Sequence, residues 1–227
     1  MRFTILTICF MSLISLPVVA GTYIDSFGDG NMDEWKIGGI GGNWEIIDGE
    51  LILKSTNSSG TFGFTLGEQT WKNYILEVKM RITEMQHFAG FGLSAGLLLR
   101  YNRAANGAYN AGLGLNPQTG AKQAEIIVGR NNIYIHIEPG QFDWTLDKWY
   151  NLKVVAQDSQ FKLYIDGNLV VDFVDALYAT GEPGVAVTST VTAHFDDFVI
   201  TEDDIPDVVT SVYSRSKAAI TWGQMKN

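Results

Sequence analysis

The sequence predicts an all-β protein, an antiparallel β-sandwich made of two large sheets. Apolar and polar residues alternate with a period of two along much of the chain, as they do in strands that bury one face. Gly, Asn and Asp interrupt these segments at short intervals, which is typical of tight turns between antiparallel strands. About a dozen strands can be counted, and no convincing helical period accompanies them. These observations favour two sheets packed face to face over other architectures.

The segment from Trp149 to Asp175 shows the pattern most clearly. It reads WYNLKVVAQDSQFKLYIDGNLVVDFVD, in which Leu152 and Val154 alternate with polar neighbours. The pairs Asp158–Ser159 and Asp166–Gly167 interrupt the alternation where tight turns are expected. The segment is therefore predicted to be a meander of three antiparallel strands.

The other strands follow from the same pattern in chain order. A strand at Thr22–Phe27 precedes a polar loop, and a hairpin turns at Asp48 and Gly49. The Gly-rich segment before Leu115 is assigned to strands, because glycine weakens a helix interior by about 1 kcal/mol per residue relative to alanine. The remaining predicted strands are Tyr74–Thr83, Ser94–Tyr101, Ala108–Leu115, Gln123–Val128, Ile133–Ile137, Gly184–Thr188 and Ala193–Thr201.

The first 20 residues are predicted to be a secretory signal peptide that is cleaved after Ala20. Arg2 precedes an apolar run, and small residues stand at Val18 and Ala20 before Gly21. A signal anchor is the alternative, but the apolar run is shorter than the roughly 20 residues that a spanning helix needs. The sequence thus predicts an extracellular or periplasmic protein with no membrane span.

After the signal peptide, one domain and a tail are predicted. The domain is expected to occupy residues 21–201, where the strand pattern holds. Residues 202–227 lose that pattern and are predicted to be a flexible tail with a short helix near Ser216–Lys226.

Composition narrows the classes of function. Cys9 is the only cysteine and lies in the predicted signal peptide, so neither a disulfide nor a thiolate metal site is expected in the mature chain. The formal net charge is −9, and no cluster of Lys or Arg offers a track for phosphates. Nucleic acid is therefore not an expected partner.

A succession of segments carries a family resemblance: GNWEIIDGEL, YILEVKMRI, GLLLRYN with GAYNAGLGL, KWYNLKVVAQDSQFKLYIDGNLV, GEPGVAV and AHFDDFVI. It resembles the concanavalin A-like lectin/glucanase superfamily, and within it the bacterial LamG-like and 3-keto-disaccharide hydrolase (family 16-like) domains. The resemblance implies a curved jelly roll whose concave face often takes an extended saccharide. It also implies, in many members, a calcium ion that bridges the first and last strands away from the sugar.

The residues themselves suggest a structural Ca²⁺ site. In HFDDFVI the alternation places Asp196 and Asp197 on opposite faces, so one carboxylate points toward the core. A buried carboxylate is costly unless it is hydrogen-bonded, neutralised or bound to a metal. If the terminal strands are neighbours, Asp25 and Asp29 are the natural partners, and their oxygens suit Ca²⁺. The alternative is that these aspartates accept backbone N–H groups at strand ends.

A carbohydrate-binding surface is predicted around the strand IYIHIE. Its isoleucines share one face, so Tyr134, His136 and Glu138 are expected to line up on the other. An aromatic ring, an imidazole and a carboxylate in a row can stack on a sugar and bond its hydroxyls. The alternative is an ordinary solvated sheet face. The predicted surface also includes Arg100, Asn110 and Glu125.

No convincing catalytic constellation is visible. EIIDGE superficially resembles the Glu-x-Asp-x-x-Glu strand of family 16 glucanases, in which two carboxyls on one face lie about 5 Å apart. In this chain Glu45 is expected to face away from Asp48 and Glu50, and Asp48 belongs to a hairpin turn. No other segment supplies a well-spaced carboxylate pair, an HExxH zinc motif or a GxSxG elbow.

The predicted function is the binding of a glycan or polysaccharide on the concave sheet face without catalysis, at the cell surface or in an extracellular matrix. Two alternatives stay open. The first is a hydrolase of glycosides or 3-keto-disaccharides, as the resemblance allows. The second is a structural or adhesion domain that binds protein, which a large exposed apolar patch would favour.

Overall fold

A computed structural model describes residues 21–39, 41–56, 60–86, 93–131 and 133–202 of the 227-residue chain. The described residues form strands, turns and loops but no helix, so they include no helix of the kind that crosses a membrane. The predicted signal peptide and almost all of the predicted tail, with its short helix, lie outside the described residues.

Fifteen strands lie within these ranges. In chain order they are β1 (Gly21–Asp25), β2 (Lys36–Gly39), β3 (Gly42–Ile47), β4 (Glu50–Ser55), β5 (Thr61–Thr65), β6 (Tyr74–Glu84), β7 (Leu93–Asn102), β8 (Gly107–Leu115), β9 (Lys122–Arg130), β10 (Ile133–Gly140), β11 (Tyr150–Gln157), β12 (Gln160–Ile165), β13 (Asn168–Val174), β14 (Glu182–Thr188) and β15 (Thr192–Glu202).

The strands form two antiparallel sheets. Sheet A has eight strands in the order β13-β12-β11-β6-β15-β4-β3, and β1 pairs with the C-terminal half of β15. Sheet B has seven strands in the order β10-β9-β8-β7-β14-β5-β2. The two sheets pack face to face, so the predicted jelly-roll β-sandwich is confirmed.

Two short strands were not predicted from the sequence, β2 and β5. They pair with each other, with Gly38 opposite Gly63. Phe62 and Phe64 of β5 do alternate toward the core, but five residues beside a polar loop give a weak signal. A glycine at the central position of β5 also removes the side chain that would mark its outward face.

The core lies between the sheets and is filled by alternate residues of both. Leu76 and Met80 of β6 belong to the same buried cluster as Leu97 and Leu113 of sheet B, and all four have no exposed surface. Burial of each such side chain contributes roughly 1.5–3 kcal/mol. Because this face of sheet B is used by the core, its opposite face is left to form a separate surface.

An ion-pair network around one buried carboxylate holds the β2 edge of sheet B to its centre. Glu182 of β14 is 2% exposed, and its carboxylate lies 2.7 Å from the Arg103 guanidinium and 3.4 Å from the Lys36 ammonium. The Thr65 hydroxyl donates to the same carboxylate at 2.7 Å. Burial by itself would raise the pKa of Glu182, but Arg103, Thr65 and Lys36 together hold that pKa below its ordinary value.

We expect Arg103→Ala to destabilise the protein, because Glu182 would stay buried with Lys36 as its only cation. The expected loss in the free energy of unfolding is roughly 2–3 kcal/mol, less than for a fully buried pair stripped of its partner. The ion pairs of Glu182 contribute this stability above the ordinary carboxyl pKa of 4.5, and the stability is lost as pH falls through the lower pKa of folded Glu182.

Urea denaturation of both forms at pH 7 and in acid measures this difference. The exposed pair of Lys54 and Glu84 provides the control, since Lys54→Ala is expected to change stability by about 1 kcal/mol or less. An Arg103→Ala protein as stable as the wild type at pH 7 would contradict the role given to this network.

Candidate functional site

The face of sheet B that points away from the core forms a groove of about 510 Å³, part of it open to solvent. Residues from all seven strands line it, from Gly38 on one edge strand to Tyr134 on the other. We call this surface the sheet B groove. The residues that line it include Thr61, Leu98, Tyr101, Asn110, Ile127, Arg130, Tyr134 and Thr188.

The apolar part of the groove is a small cluster that is separate from the main core. Leu98, Ala108 and Ala186 pack together there, with Tyr101 partly buried against them. Leu98 stands between Leu97 and Leu99, which both point into the main core. Alternation along β7 therefore supplies both surfaces, the core on one side and the groove on the other.

Asn110 is the central polar side chain of the groove. It lies on β8 between Leu98 of β7 and Ile127 of β9, and it is 5% exposed. Its Oδ1 accepts a hydrogen bond from the Ser94 hydroxyl at 3.2 Å, whereas its Nδ2 has no partner among the described residues. A buried donor without a partner costs about 1–3 kcal/mol. The amide is therefore available to a ligand that enters the groove.

Thr188 anchors the neighbouring strand to β7. The Ser94 backbone N–H donates to the Thr188 hydroxyl at 2.7 Å, and that hydroxyl donates to the Ser94 carbonyl at 3.2 Å. The turn that follows contains Ser189 and Thr190 with positive φ values of 35° and 48°. Such values are uncommon outside glycine and are strained in a β-branched residue. A constrained turn thus lies directly after a residue that lines the groove.

Glu125 lies on β9 opposite Gly112 and has no exposed surface. Its Oε2 accepts a hydrogen bond from the Gln123 amide at 2.6 Å, and its Oε1 has no partner among the described residues. Burial raises the pKa of Glu125 to about 8, against the opposing effect of Gln123. The carboxyl is therefore largely protonated at neutral pH.

Tyr134 joins this group from the edge strand β10. Burial raises the pKa of its phenol, the nearby hydroxyls of Thr188 and Ser189 lower it, and Glu125 raises it further. The phenol oxygen itself has no hydrogen-bond partner among the described residues. Tyr134 and Thr188 both line the groove. The structure thus brings together Asn110, Glu125 and Tyr134, three of the six residues predicted for the binding surface, although Glu125 does not itself line the groove.

The prediction that Tyr134, His136 and Glu138 share one face is wrong. Tyr134 pairs with Gly129 and His136 with Val128, so a register shift lies between them. Such a β-bulge adds one residue to a strand and turns the side chains after it to the other face.

The bulge sends the later part of β10 toward sheet A. The imidazole of His136 stacks on the Phe173 ring of β13, with the centroids 5.3 Å apart and the planes at 11°. Its Nε2 lies 3.1 Å from the Glu138 carboxylate. His136 and Glu138 therefore close one edge of the sandwich and do not belong to the groove.

Arg100 does not lie on the predicted surface either, since it has no exposed area. Its φ is +49°, and the pairing of β7 with β8 shifts register between Leu99 and Asn102. This bulge turns the side chain inward, where its guanidinium donates to the carbonyls of Lys72 and Tyr178, each at 3.0 Å. Arg100 is thus a core cation, and the strict alternation assumed from the sequence fails at this point.

Asp25 is the buried carboxylate among the four predicted Ca²⁺ ligands, at 7% exposed. One of its oxygens accepts the Phe27 backbone N–H at 2.7 Å and the other accepts the Trp35 indole N–H at 2.8 Å. Burial raises the pKa of Asp25, and these two bonds act in the opposite direction. This is the alternative to metal binding that the sequence left open, a carboxylate held by N–H donors at a strand end.

The other predicted ligands have separate partners. Asp29 accepts from Asn31, Asp197 lies 2.6 Å from the Lys79 ammonium, and Asp196 accepts the Asp197 backbone N–H. Among the described residues, no three His, Cys, Asp or Glu side chains are placed to hold a metal ion together. The described geometry does not fit the predicted ligand set, and binding of Ca²⁺ itself stays a prediction of the sequence.

The acidic segment that resembles a glucanase strand lies on β3 and β4 of sheet A, whereas the groove lies on sheet B. Glu50 is engaged there with the Arg81 guanidinium at 2.9 Å and with His194 at 2.8 Å. Burial by itself would raise the pKa of Glu50, but His194 and Arg81 together hold that pKa below its ordinary value. Glu50 is therefore part of a polar cluster on sheet A.

Several residues of the groove were not predicted from the sequence, among them Tyr101, Arg130 and Thr188. Thr188 belongs to β14, which enters sheet B between β7 and β5, although both are distant along the chain. Arg130 and Tyr101 stand at strand ends, where the alternation no longer indicates a face. A signal for Arg130 does exist, since it is a cation in a hairpin next to the strand that was singled out.

Comparison with known proteins identifies a family. The family model of the 3-keto-alpha-glucoside-1,2-lyase-like domain matches residues 22–194. A comparison with curated protein sequences gives no significant match.

Solved structures share the fold. The carbohydrate-binding module CBM66 from Bacillus subtilis has a TM-score of 0.58 and 21% identity, over 74% of this chain and 95% of that chain. A Bacillus subtilis protein of unknown function with a galectin-like fold has a TM-score of 0.58 and 16% identity, over 79% and 94%. The Bacillus licheniformis β-glucanase has a TM-score of 0.56 and 14% identity, over 80% and 98%. At these identities the likeness concerns the fold.

The buried carboxyl of Glu125 predicts a pH dependence of stability. The folded chain holds this proton up to about pH 8, whereas the ordinary carboxyl pKa is 4.5. Between these values the folded state binds one proton more than the unfolded state, so the free energy of unfolding falls as pH rises, by up to about 1.4 kcal/mol per pH unit. Glu125→Gln should remove the part of this fall in the free energy of unfolding that comes from the Glu125 carboxyl.

Urea denaturation at several pH values across that interval, on the wild type and on Glu125→Gln, measures the difference. Glu45→Gln is the control, because Glu45 is exposed on β3 and should leave the pH profile unchanged. Parallel profiles for the wild type and Glu125→Gln would show that Glu125 is not a buried neutral carboxyl.

Proposed function

The chain belongs to the 3-keto-alpha-glucoside-1,2-lyase-like domain family, and from that premise we propose that it binds a saccharide in the sheet B groove without cleaving it. The observation that carries the proposal is the Asn110 amide, which lines the groove at 5% exposed with its Nδ2 unpartnered in the described structure. Buried polar groups normally have partners, and one that lines a groove is suited to a ligand acceptor.

The rest of the groove suits a sugar. Leu98 and Ala108 provide an apolar floor for the C–H faces of a pyranose ring, and the rings of Tyr101 and Tyr134 lie among the lining side chains. Aromatic side chains offer a large apolar surface together with a polar tip. A groove with an apolar floor and a few fixed polar groups is the usual form of a small-ligand site. The carbohydrate-binding module that shares this fold supports the same reading.

Export is part of the proposal, on the strength of the signal peptide predicted at residues 1–20. A protein outside the cytoplasm meets polysaccharides of cell walls and matrices, which are the ligands that such a groove would hold. The net charge of −9 is consistent with solubility in that setting.

The second candidate function is a lyase or hydrolase activity, which the family description favours. Glu125 is the observation in its support, since a carboxyl with a pKa of about 8 can give or take a proton near neutral pH. Against it, Glu125 does not line the groove, and no Asp or Glu is among the described lining residues. Hydrolysis of a glycoside ordinarily needs two carboxyls that flank the scissile bond.

We expect Asn110→Ala to weaken saccharide binding about threefold to tenfold, because one hydrogen bond to the ligand is lost. Folding should change little, since the substitution removes a single 3.2 Å bond from Ser94 and also removes an unpartnered donor. Asn43→Ala on the exposed strand β3 is the matched control. A panel of neutral and acidic oligosaccharides, titrated by calorimetry, measures the affinities.

The same panel separates the two candidate functions. Incubation with each ligand, followed by chromatography of the sugars, should leave every ligand intact. Cleavage by the wild type that Glu125→Gln abolishes would contradict the non-catalytic proposal and favour the lyase or hydrolase. Equal affinities of the wild type and Asn110→Ala would count against the sheet B groove as the binding site.

A further inference from the structure

The side chains that face the sheet B groove are uncharged in the described part of the chain. Asp, Glu and Lys are absent from the described residues that line it, and Arg130 is the one Arg among them. Arg130 pairs with Gly107 and lies three residues beyond Ile127, so alternation along β9 points its side chain to the opposite face of the sheet. Burial raises the pKa of Tyr178 in the main core, and the charge of Arg130 lowers it, which agrees with that orientation.

Two aliphatic side chains flank the free amide of the groove. Asn110 on β8 lies opposite Leu98 of β7 on one side and opposite Ile127 of β9 on the other. Leu98 belongs to the apolar cluster of the groove, and Ile127 alternates with Ile126 and Val128 of the main core, so it faces outward as well. Neighbouring strands lie about 4.8 Å apart, so Leu98 and Ile127 are roughly 10 Å apart across the sheet with the amide between them.

The polar atoms of the groove that lack partners are suited to hydroxyl groups. Asn110 presents its Nδ2 as a donor. The Tyr134 hydroxyl also lines the groove without a partner among the described residues, and it can donate or accept. A sugar hydroxyl has the same two capacities, so it can bond to either atom. A ligand carboxylate would lose part of its hydration here and meet no cation, which is unfavourable.

A sugar fits such a surface best when a hydroxyl on its ring lies next to an apolar group. An ordinary hexose carries a hydroxymethyl group beside its ring, and pressing that hydroxyl against aliphatic side chains removes its water without giving it a partner. A 6-deoxyhexose carries a methyl group at the same position. Burial of a methyl group against Leu98 or Ile127 is favourable, because both side chains are apolar.

We propose that the saccharide of the sheet B groove is uncharged and contains a 6-deoxyhexose unit, whose methyl group packs against the aliphatic side chains beside Asn110 while a ring hydroxyl accepts a hydrogen bond from the amide. The inference rests on the proposed function, because it names the class of saccharide that the same groove takes. Leu98 and Ile127 are then the residues that distinguish a methyl group from a hydroxymethyl group.

The test varies only the exocyclic group of the sugar. Methyl glycosides of D-glucose, D-galactose and L-mannose are compared with their 6-deoxy forms and with their uronates, so that a hydroxymethyl group is replaced by methyl or by carboxylate. Titrations of the full, isotopically labelled protein followed by NMR give the dissociation constants. We expect at least one 6-deoxy glycoside to bind about tenfold more tightly than its parent, and every uronate to bind more weakly than its parent.

Ile127→Thr should reduce the preference for the 6-deoxy form to about twofold or less, because it places a hydroxyl where the methyl group packs. Ile75→Thr is the matched control, since it makes the same change on the outward face of sheet A and should keep the preference. Because the series is also measured on the wild type, the proposal is tested even if Ile127→Thr fails to fold.

Equal affinities for parent and 6-deoxy members of every series, tighter binding of a uronate, or a preference that Ile127→Thr retains would overturn this inference and leave the proposed function standing. Binding of none of these glycosides would overturn it as well. Only a further failure of the whole oligosaccharide panel to bind would count against the proposed function itself.

Discussion

The groove depends on the close approach of β7 and β8, which glycine alone permits at two facing positions. Gly96 pairs with Gly112, and a Cβ atom on either one would overlap a carbonyl oxygen of the opposite strand. The outward face of sheet B therefore has no side chain at these points. Two polar side chains lie beside this gap: Asn110 on β8, which lines the groove, and Glu125 on β9, which is fully buried next to it. The constraint on two glycines thus leaves Asn110 as the polar side chain of β8 that a ligand can meet.

The buried polar groups on this face are of two kinds, those with hydrogen-bond partners and those with an atom that lacks one. Ser94 and Thr188 bond each other and tie β7 to β14, so they hold the sheet together. Asn110 and Glu125 each keep one atom without a partner in the described structure. Buried polar atoms without a hydrogen-bond partner lower the stability of a fold, and they occur mainly at functional sites. Asp25 differs from Asn110 and Glu125 in this respect, because both of its carboxylate oxygens accept hydrogen bonds from N–H donors.

Most of the fold could be predicted from the sequence, because period-two alternation and turn residues are local signals. Prediction of the site was less successful, since two β-bulges interrupt that alternation. The bulge after Tyr134 turns His136 and Glu138 toward sheet A, and the bulge at Arg100 turns its side chain into the core. A bulge depends on how a strand pairs with its neighbour, and sequence alternation alone does not reveal it. The contribution of β14 to the groove was hidden for a related reason, because its neighbours in the sheet are remote along the chain.

The proposed function requires that a saccharide occupies the outward face of sheet B. The most direct measurement is chemical-shift mapping by NMR on isotopically labelled protein, with a bound oligosaccharide from the panel. We expect the largest shifts on groove residues of β7, β8, β9 and β14, with the side-chain amide of Asn110 among them. Shifts confined to sheet A, or to the edge where His136 stacks on Phe173, would contradict saccharide binding in the sheet B groove.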